Sequence, residues 1–458
     1  MIMKHAQRRA VIALCALIAL AATAVVQPSA AQDPSPSQVS SQYLRIANTF
    51  ASTDAVLHAG SPDRRVALLY THPFAPSSLS GYFCSQLPRQ GWTVLCMNNR
   101  FSNNQQLNTL WEPIALDVAA GVQALRSLNF EKIVLIGYSA GGPTVAYYQA
   151  LAEQGNALFD PKTSLSGFKG LFNRDGSEQR LPRADGLLLV NPSSGIGASG
   201  MFRLDPAVID EATGRRDASL DMYAPENGFD PATGQARYSE VFLRRFRQAQ
   251  CERMNRLIDQ SQSRLVAARE GKGRFVSDDI AASVGLRANP AYADLTLAQS
   301  TRGAHRLLPD DVVTQVRNDR PLSRQSERNR GVDEAARTDR SFLSYRAVRC
   351  SHFDPDAITP DGHGLDTRSS NNITYANLAR TQAPLLIIQG TADDTIAHLT
   401  IGELLFNASA APDRQLWYVR GMTHSMTALR GEHGDVGKVT ADAISGWLRT
   451  RFAQPGKP

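Results

Sequence analysis

Five residues, Gly137-Tyr138-Ser139-Ala140-Gly141, constrain the fold of this chain more than any other stretch. They follow an apolar run from Ile133 to Ile136, flanked by Lys132, which has the length and composition of a short buried strand. Beyond them, Gly142-Pro143-Thr144-Val145-Ala146-Tyr147-Tyr148-Gln149-Ala150-Leu151 reads as a helix. Its proline falls in the first turn, where no intrahelical N–H is needed. A strand that passes into a helix through G-x-S-x-G bends so sharply that side chains two residues either side of the serine would meet backbone. Glycine at both places relieves the clash and tolerates strained dihedrals. The serine hydroxyl is thereby held toward solvent at a helix N-terminus, where developing negative charge is favoured. The same pentapeptide also arises by chance around a bystander serine, so further features in a defined order are needed.

Other segments supply a scaffold for such a turn. Strand-like runs fall at Arg65 to Tyr70, Thr93 to Met97, Gly186 to Val190, Pro384 to Ile388 and Gln415 to Val419. Helical patterns lie at Ser78 to Gln90, about Asn108 to Leu128, Leu399 to Phe406 and Val439 to Phe452. Strands alternating with helices predict an α/β fold, a mostly parallel, doubly wound sheet covered on both faces. Ligands on such sheets sit at the carboxyl ends of the strands, so an acid and a base are sought there.

Two loops answer that search. Gln389-Gly390-Thr391-Ala392-Asp393-Asp394-Thr395-Ile396 follows the Pro384 strand, and Arg420-Gly421-Met422-Thr423-His424-Ser425-Met426 follows the Gln415 strand. With these the chain resembles a serine hydrolase of the α/β-hydrolase superfamily, esterase- or lipase-like. Members carry the acid in a G-x-x-D-x-x-(I/V) loop and the histidine in a G-x-x-H loop, in the order Ser, Asp, His. Gly390, Asp393 and Ile396 fit the first pattern, and Gly421 and His424 the second. The resemblance covers roughly residues 60 to 195 and 377 to 458. It implies a triad of Ser139, Asp393 and His424. Asp394 is an alternative acid, either Asp can serve as a helix cap, and His433 is an alternative base. It further implies two oxyanion donors: the N–H of Ala140 and, from the loop Tyr70-Thr71-His72-Pro73-Phe74, the N–H of Phe74, because Pro73 has none. His72 is expected to support that loop. No cofactor and no metal site is implied, and no Cys/His spacing resembles a zinc site.

The N-terminus reads differently from the rest. Lys4, Arg8 and Arg9 precede an apolar stretch from Ala10 to Val26 and then Gln27-Pro28-Ser29-Ala30-Ala31. A charged head, a short apolar stretch and small residues at its exit predict a signal peptide over residues 1–31, hence a periplasmic or secreted protein. A retained anchor is the alternative, and the apolar run is slightly short for it. Residues 32–48 read as a polar linker. Removing the leader takes Lys4, Arg8 and Arg9 with it and lowers the formal charge from +6 to +3. That excess is too small to argue for nucleic acid or a membrane as partner. Cys84, Cys96, Cys251 and Cys350 remain, an even number that permits disulfides in an exported protein. Cys251 with Cys350 is favoured; Cys84 with Cys96 is the weaker pairing, since Cys96, in an apolar strand, can be a simple core thiol.

At 458 residues the chain exceeds an ordinary single domain. The expected organisation is a core built from residues 49–195 and 377–458, interrupted by a large, mainly helical cap over residues 196–376, ahead of the strand that carries the acid. Within it, Tyr238 to Glu270 reads as one long helix with an apolar stripe through Phe242, Phe246, Ala249, Met254, Leu257, Ile258, Ser261 and Leu265. Arg302 to Arg349 holds eleven Arg against seven Asp plus Glu and reads as a solvated surface or an entrance for acidic substrates. Asp354, Asp356, Asp361 and Asp366 form an acidic loop that misses the EF-hand spacing and reads as a turn. The functional expectation is a hydrolase acting on small or polymeric carboxylic esters. A peptidase or amidase with the same triad and a non-catalytic binding protein on the same scaffold are the alternatives.

Overall fold

A computed structural model describes residues 39–102, 110–272, 289–297, 300–320, 338–396 and 398–452. The expected signal peptide, the start of the expected linker and residues 321–337 of the Arg-rich stretch lie outside the described residues. The first part of the chain contributes β1 (Ser40–Ala47), β2 (Ser52–Ala59), β3 (Val66–Tyr70), α1 (Tyr82–Arg89), β4 (Thr93–Met97), α2 (Ile114–Ser127), β5 (Lys132–Tyr138), α3 (Gly141–Gln154) and β6 (Gly186–Val190). The long middle segment holds α4 (Ile196–Arg203), a small hairpin of β7 (Phe229–Asp230) and β8 (Gln235–Ala236), α5 (Glu240–Arg269) and α6 (Pro290–Ala293). It continues with β9 (Ser300–Leu308), β10 (Val312–Arg317), α7 (Asp339–Tyr345), α8 (Pro360–His363) and α9 (Thr374–Leu378). The chain closes with β11 (Leu385–Gly390), α10 (Ile401–Ala408), β12 (Arg414–Val419) and α11 (Val436–Arg451).

Ten strands form one sheet in the order β1-β2-β4-β3-β5-β6-β11-β12-β9-β10. From β4 to β9 every pairing is parallel, and the antiparallel pairs lie toward the two ends. The central strands are apolar throughout because both faces are covered, and alternate residues go to opposite sides. Leu69, Leu95, Leu135, Leu189 and Ile387 join the core beneath α2, α3 and α10, whereas Leu68, Val94, Val134, Leu188 and Leu386 join the core beneath α1 and α11.

Two expectations are corrected. The polar linker of residues 32–48 does not extend to 48, since Ser40–Ala47 is β1 and pairs antiparallel with β2. Residues 196–376 hold mostly helices but do not form a cap set apart from the core, since β9 pairs in parallel with β12 and carries β10 with it, lengthening the central sheet. From Ser37 onward the chain forms one compact unit. The long helix of that segment does form: Ser239 caps α5 by accepting from the Phe242 N–H at 3.1 Å. Its apolar stripe is buried at Phe242, Phe246, Met254, Leu257 and Ile258. Cys84 pairs with Cys96 across 6.2 Å between Cα atoms, and Cys251 with Cys350 across 5.3 Å, both at disulfide distance. Asp354 and Asp356 of the acidic loop pair with Arg247 of α5. Among the described residues no helix is long and apolar enough to cross a membrane.

Candidate active site

Strand β5 ends at Tyr138 and α3 begins at Gly141, so the reversal falls on two residues. Ser139 takes it with φ +53°, a conformation that L residues other than Asn and Asp rarely adopt. Gly137 has no room for a side chain: a Cβ there would lie 2.7 Å from Val145 Cγ2, 2.8 Å from Gly142 Cα and 2.9 Å from the Gly141 carbonyl oxygen. At Gly141 the nearest contact, the Thr71 carbonyl oxygen, would be 3.3 Å away, whereas a Cβ on Gly142 would lie 2.8 Å from Pro192 Cβ. The second obligatory glycine is therefore Gly142 more than Gly141.

Asp393 and His424 arrive from the two loops after β11 and β12. His424 Nε2 lies 3.0 Å from Ser139 Oγ, and His424 Nδ1 lies 2.9 Å from Asp393 Oδ2. Asp393 is buried, and its Oδ1 also accepts from the backbone N–H groups of Thr395 and Ile396, each at 2.9 Å. Asp394 is exposed and plays no part in this chain of contacts. His433 is occupied elsewhere: its ring packs on Gly421, where a Cβ would lie 2.2 Å from His433 Cγ. Gly421 has φ +65°, the left-handed turn that swings the following residues back toward Ser139.

The serine, acid and histidine stand in chain order at the carboxyl ends of β5, β11 and β12, with the serine on a strained strand-to-helix turn. The fold is that of the α/β-hydrolases.

On this α/β-hydrolase sheet, two side chains that sequence reasoning gave no role hold the acid and histidine loops together. Asn191, fully buried just beyond β6, accepts from the Gly390 N–H at 2.8 Å and donates to the carbonyl oxygens of Thr423 at 3.1 Å and His424 at 3.0 Å. The Tyr138 hydroxyl also donates to the His424 carbonyl, at 2.9 Å. Asp319, two residues beyond the end of β10, accepts from the Gly421 N–H at 3.1 Å and from the Thr391 hydroxyl. Asn191 had one signal, a polar residue directly after an apolar strand, where Asn tolerates its observed φ of +45°. Asp319 had none, because the strand before it was not legible.

The two expected oxyanion donors fare differently. Among the described residues nothing accepts from the Ala140 N–H at the start of α3, consistent with a free donor beside Ser139. The Phe74 N–H is already engaged, donating to His72 Nδ1 at 3.1 Å. The expectation of a free donor at Phe74 is not met, because its N–H is turned onto the ring of His72 two residues before it. That histidine is held well below its ordinary value, at about 4, by burial first and by the nearby His424 second. A ring held that low is a poor base, and its Nδ1 lone pair is already taken by the Phe74 N–H.

No protein-family model matches the sequence, and no curated protein matches it. Similar solved structures include the siderophore hydrolase EstB from Aspergillus fumigatus, at 12% identity and a TM-score of 0.41 over 90% of this chain and 97% of that one. A soluble variant of monoglyceride lipase from Saccharomyces cerevisiae shows 13% identity and a TM-score of 0.39 over 92% of this chain and 99% of that one. An acylaminoacyl peptidase from Pyrococcus horikoshii shows 11% identity and a TM-score of 0.37 over 92% of this chain and 43% of that one.

Proposed function

We propose that this chain is an exported serine hydrolase that cleaves carboxylic esters through an acyl-enzyme. The observation that carries the reading is the continuous contact from Ser139 Oγ to His424 Nε2 at 3.0 Å and from His424 Nδ1 to Asp393 at 2.9 Å. Ser139 Oγ adds to the ester carbonyl carbon while its proton passes to His424 Nε2. Collapse of the tetrahedral species returns that proton to the departing alkoxide, leaving the acyl group on Ser139. Water then adds to the acyl carbon, giving its proton to His424, and the acid leaves as Ser139 recovers its proton. Asp393 stays ionised, fixes the tautomer with the proton on Nδ1 and stabilises the imidazolium.

The middle segment is proposed to shape substrate access. Two observations support this: Tyr345 of α7 meets Phe74 edge to face at 5.7 Å, and the Tyr292 hydroxyl of α6 donates to the Thr395 carbonyl beside the acid at 2.8 Å. The test is labelling with a fluorophosphonate, expected on the wild type and absent in Ser139→Ala. Turnover of p-nitrophenyl esters against aminoacyl anilides then separates an esterase from a peptidase. A folded wild type that neither labels nor turns over either class overturns the hydrolase reading in favour of a binding protein.

A further inference from the structure

Among the described residues the loop between β3 and α1 leaves one buried hydrogen-bond donor of His72 without a partner, on a ring that packs toward the residues flanking Ser139. Three of the four polar groups of His72 are satisfied within the loop and its neighbours. Its N–H donates to Ser78 Oγ at 3.0 Å, its carbonyl accepts from Asn99 Nδ2 at 3.0 Å, and its Nδ1 accepts from the Phe74 N–H at 3.1 Å. Because Nδ1 accepts, it carries no hydrogen, and the neutral ring must hold its proton on Nε2. That Nε2–H is buried and finds no acceptor among the described residues. Buried polar groups are rarely left so, and those that are call for an explanation.

The position of the ring supplies one. His72 Cδ2, the atom bonded to Nε2, would lie 3.9 Å from a Cβ on Gly141, the residue that opens α3 two positions after Ser139. The ring also stands 5.8 Å, centre to centre, from that of Tyr138, the residue before the serine. We propose that the His72 Nε2–H, with the Ala140 N–H, receives the carbonyl oxygen of the ester as it becomes an oxyanion, in place of the Phe74 N–H that this loop has turned inward. As Ser139 Oγ bonds to the carbonyl carbon, the π electrons move to oxygen and the imidazole donates a hydrogen bond to it. No proton is transferred, and the ring remains neutral throughout. Neutrality is secured by burial, which holds the ring near pH 4, and a neutral imidazole donor raises no repulsion when His424 becomes cationic.

This inference rests on the hydrolase reading, and two substitutions at one position separate it from a purely loop-holding role. His72→Gln places an amide N–H near the position of Nε2 and loses the acceptor for Phe74. His72→Asn keeps an acceptor near Nδ1 and loses the donor. Both are compared with the wild type on p-nitrophenyl acetate, with folding verified by circular dichroism and Ser139 accessibility by fluorophosphonate labelling. Loss of one such donor lowers kcat by about 10²-fold or more with KM little changed. The expected result is that His72→Asn shows this loss and His72→Gln retains at least about ten times the kcat of His72→Asn. Equal activity, or His72→Asn above His72→Gln, overturns the donor role and leaves His72 as support for the loop. A wild type that turns over no ester and leaves Ser139 unlabelled removes the hydrolase reading and this inference together.

Discussion

Asp393 and Asp394 are neighbours in the chain and face opposite environments: Asp393 is buried with Oδ2 2.9 Å from His424 Nδ1, and Asp394 is exposed. The loop after β11 turns between them, with two backbone N–H groups holding Asp393 inward. Asp393→Asn is expected to lower kcat about 10⁴-fold, because the amide stabilises the wrong imidazole tautomer. Asp394→Asn is expected to leave kcat unchanged. Steady-state assays on a single chromogenic ester compare the two, and a larger loss at Asp394 would reassign the acid.

Gly137→Ala forces a methyl against backbone atoms at 2.8 and 2.9 Å, which cannot move without displacing the start of α3. Gly141→Ala meets only one tight contact, the Thr71 carbonyl oxygen at 3.3 Å. Overpacking of this kind costs about 1–3 kcal/mol, and the first substitution is expected to exceed the second. Urea unfolding midpoints provide the comparison.

Asn191→Leu removes a side chain that satisfies the Gly390 N–H and two carbonyl oxygens of the histidine loop. The two carbonyl oxygens keep the Tyr138 hydroxyl and the Met426 N–H as donors, but the buried Gly390 N–H is left unpaired, at a cost of about 1–3 kcal/mol. A lower melting temperature and slower fluorophosphonate labelling are both expected, since the loops that carry Asp393 and His424 lose their common tie. Asp319→Ala removes the carboxylate that accepts from both the Gly421 N–H and the Thr391 hydroxyl but leaves the direct bond from the Gly421 N–H to Thr391 Oγ1 at 2.8 Å, so it is expected to slow labelling less and to cost less stability, Asp319 being only half-buried.

His363 is fully buried against Phe202, Phe353 and Tyr375, with its Nδ1 3.1 Å from the Tyr375 hydroxyl. Burial lowers it from 6.5 to about 3, with His398 and His352 acting in the same direction and Asp356 opposing. The unfolded chain therefore binds a proton that the folded chain refuses between those two values. Stability from this group is complete above pH 6.5 and declines as the pH falls toward about 3. His363→Leu is expected to flatten the dependence of the melting temperature on pH across that window. An unchanged slope would show that another group governs it.

Cys251 and Cys350 close a loop with a sequence separation of 99, and Cys84 and Cys96 one of 12. Loop-closure entropy favours the longer cross-link, about 4–5 kcal/mol against about 3 kcal/mol. The Cys251→Ser/Cys350→Ser protein is therefore expected to melt below the Cys84→Ser/Cys96→Ser protein, and thermal scans decide the order.

The parts of the fold legible in sequence are those buried on both faces. β3, β4, β5, β6, β11 and β12 are short apolar runs, and no polar requirement interrupts them. β1 and β9 carry Ser, Gln, Arg, Thr and His because they lie toward the ends of the sheet, where much of their surface meets water. Their polarity hid them, and β9 was absorbed into what read as a solvated Arg-rich stretch. Ser139, Asp393 and His424 were legible because fixed glycine spacings shape their loops. Asn191 and Asp319 act through backbone groups of residues about 200 and 100 positions away, a relationship that no local pattern encodes. The state of the Phe74 N–H was likewise hidden, since it depends on which way the His72 ring turns.

Because Ser300–Leu308 runs beside β12 as a full member of the sheet, the segment between β6 and β11 is woven into the platform it was expected to cover. It cannot be lifted away or exchanged as a cassette. An engineer seeking a wider entrance would have to leave this hairpin and its trailing aspartate in place and trim only the stretches on either side.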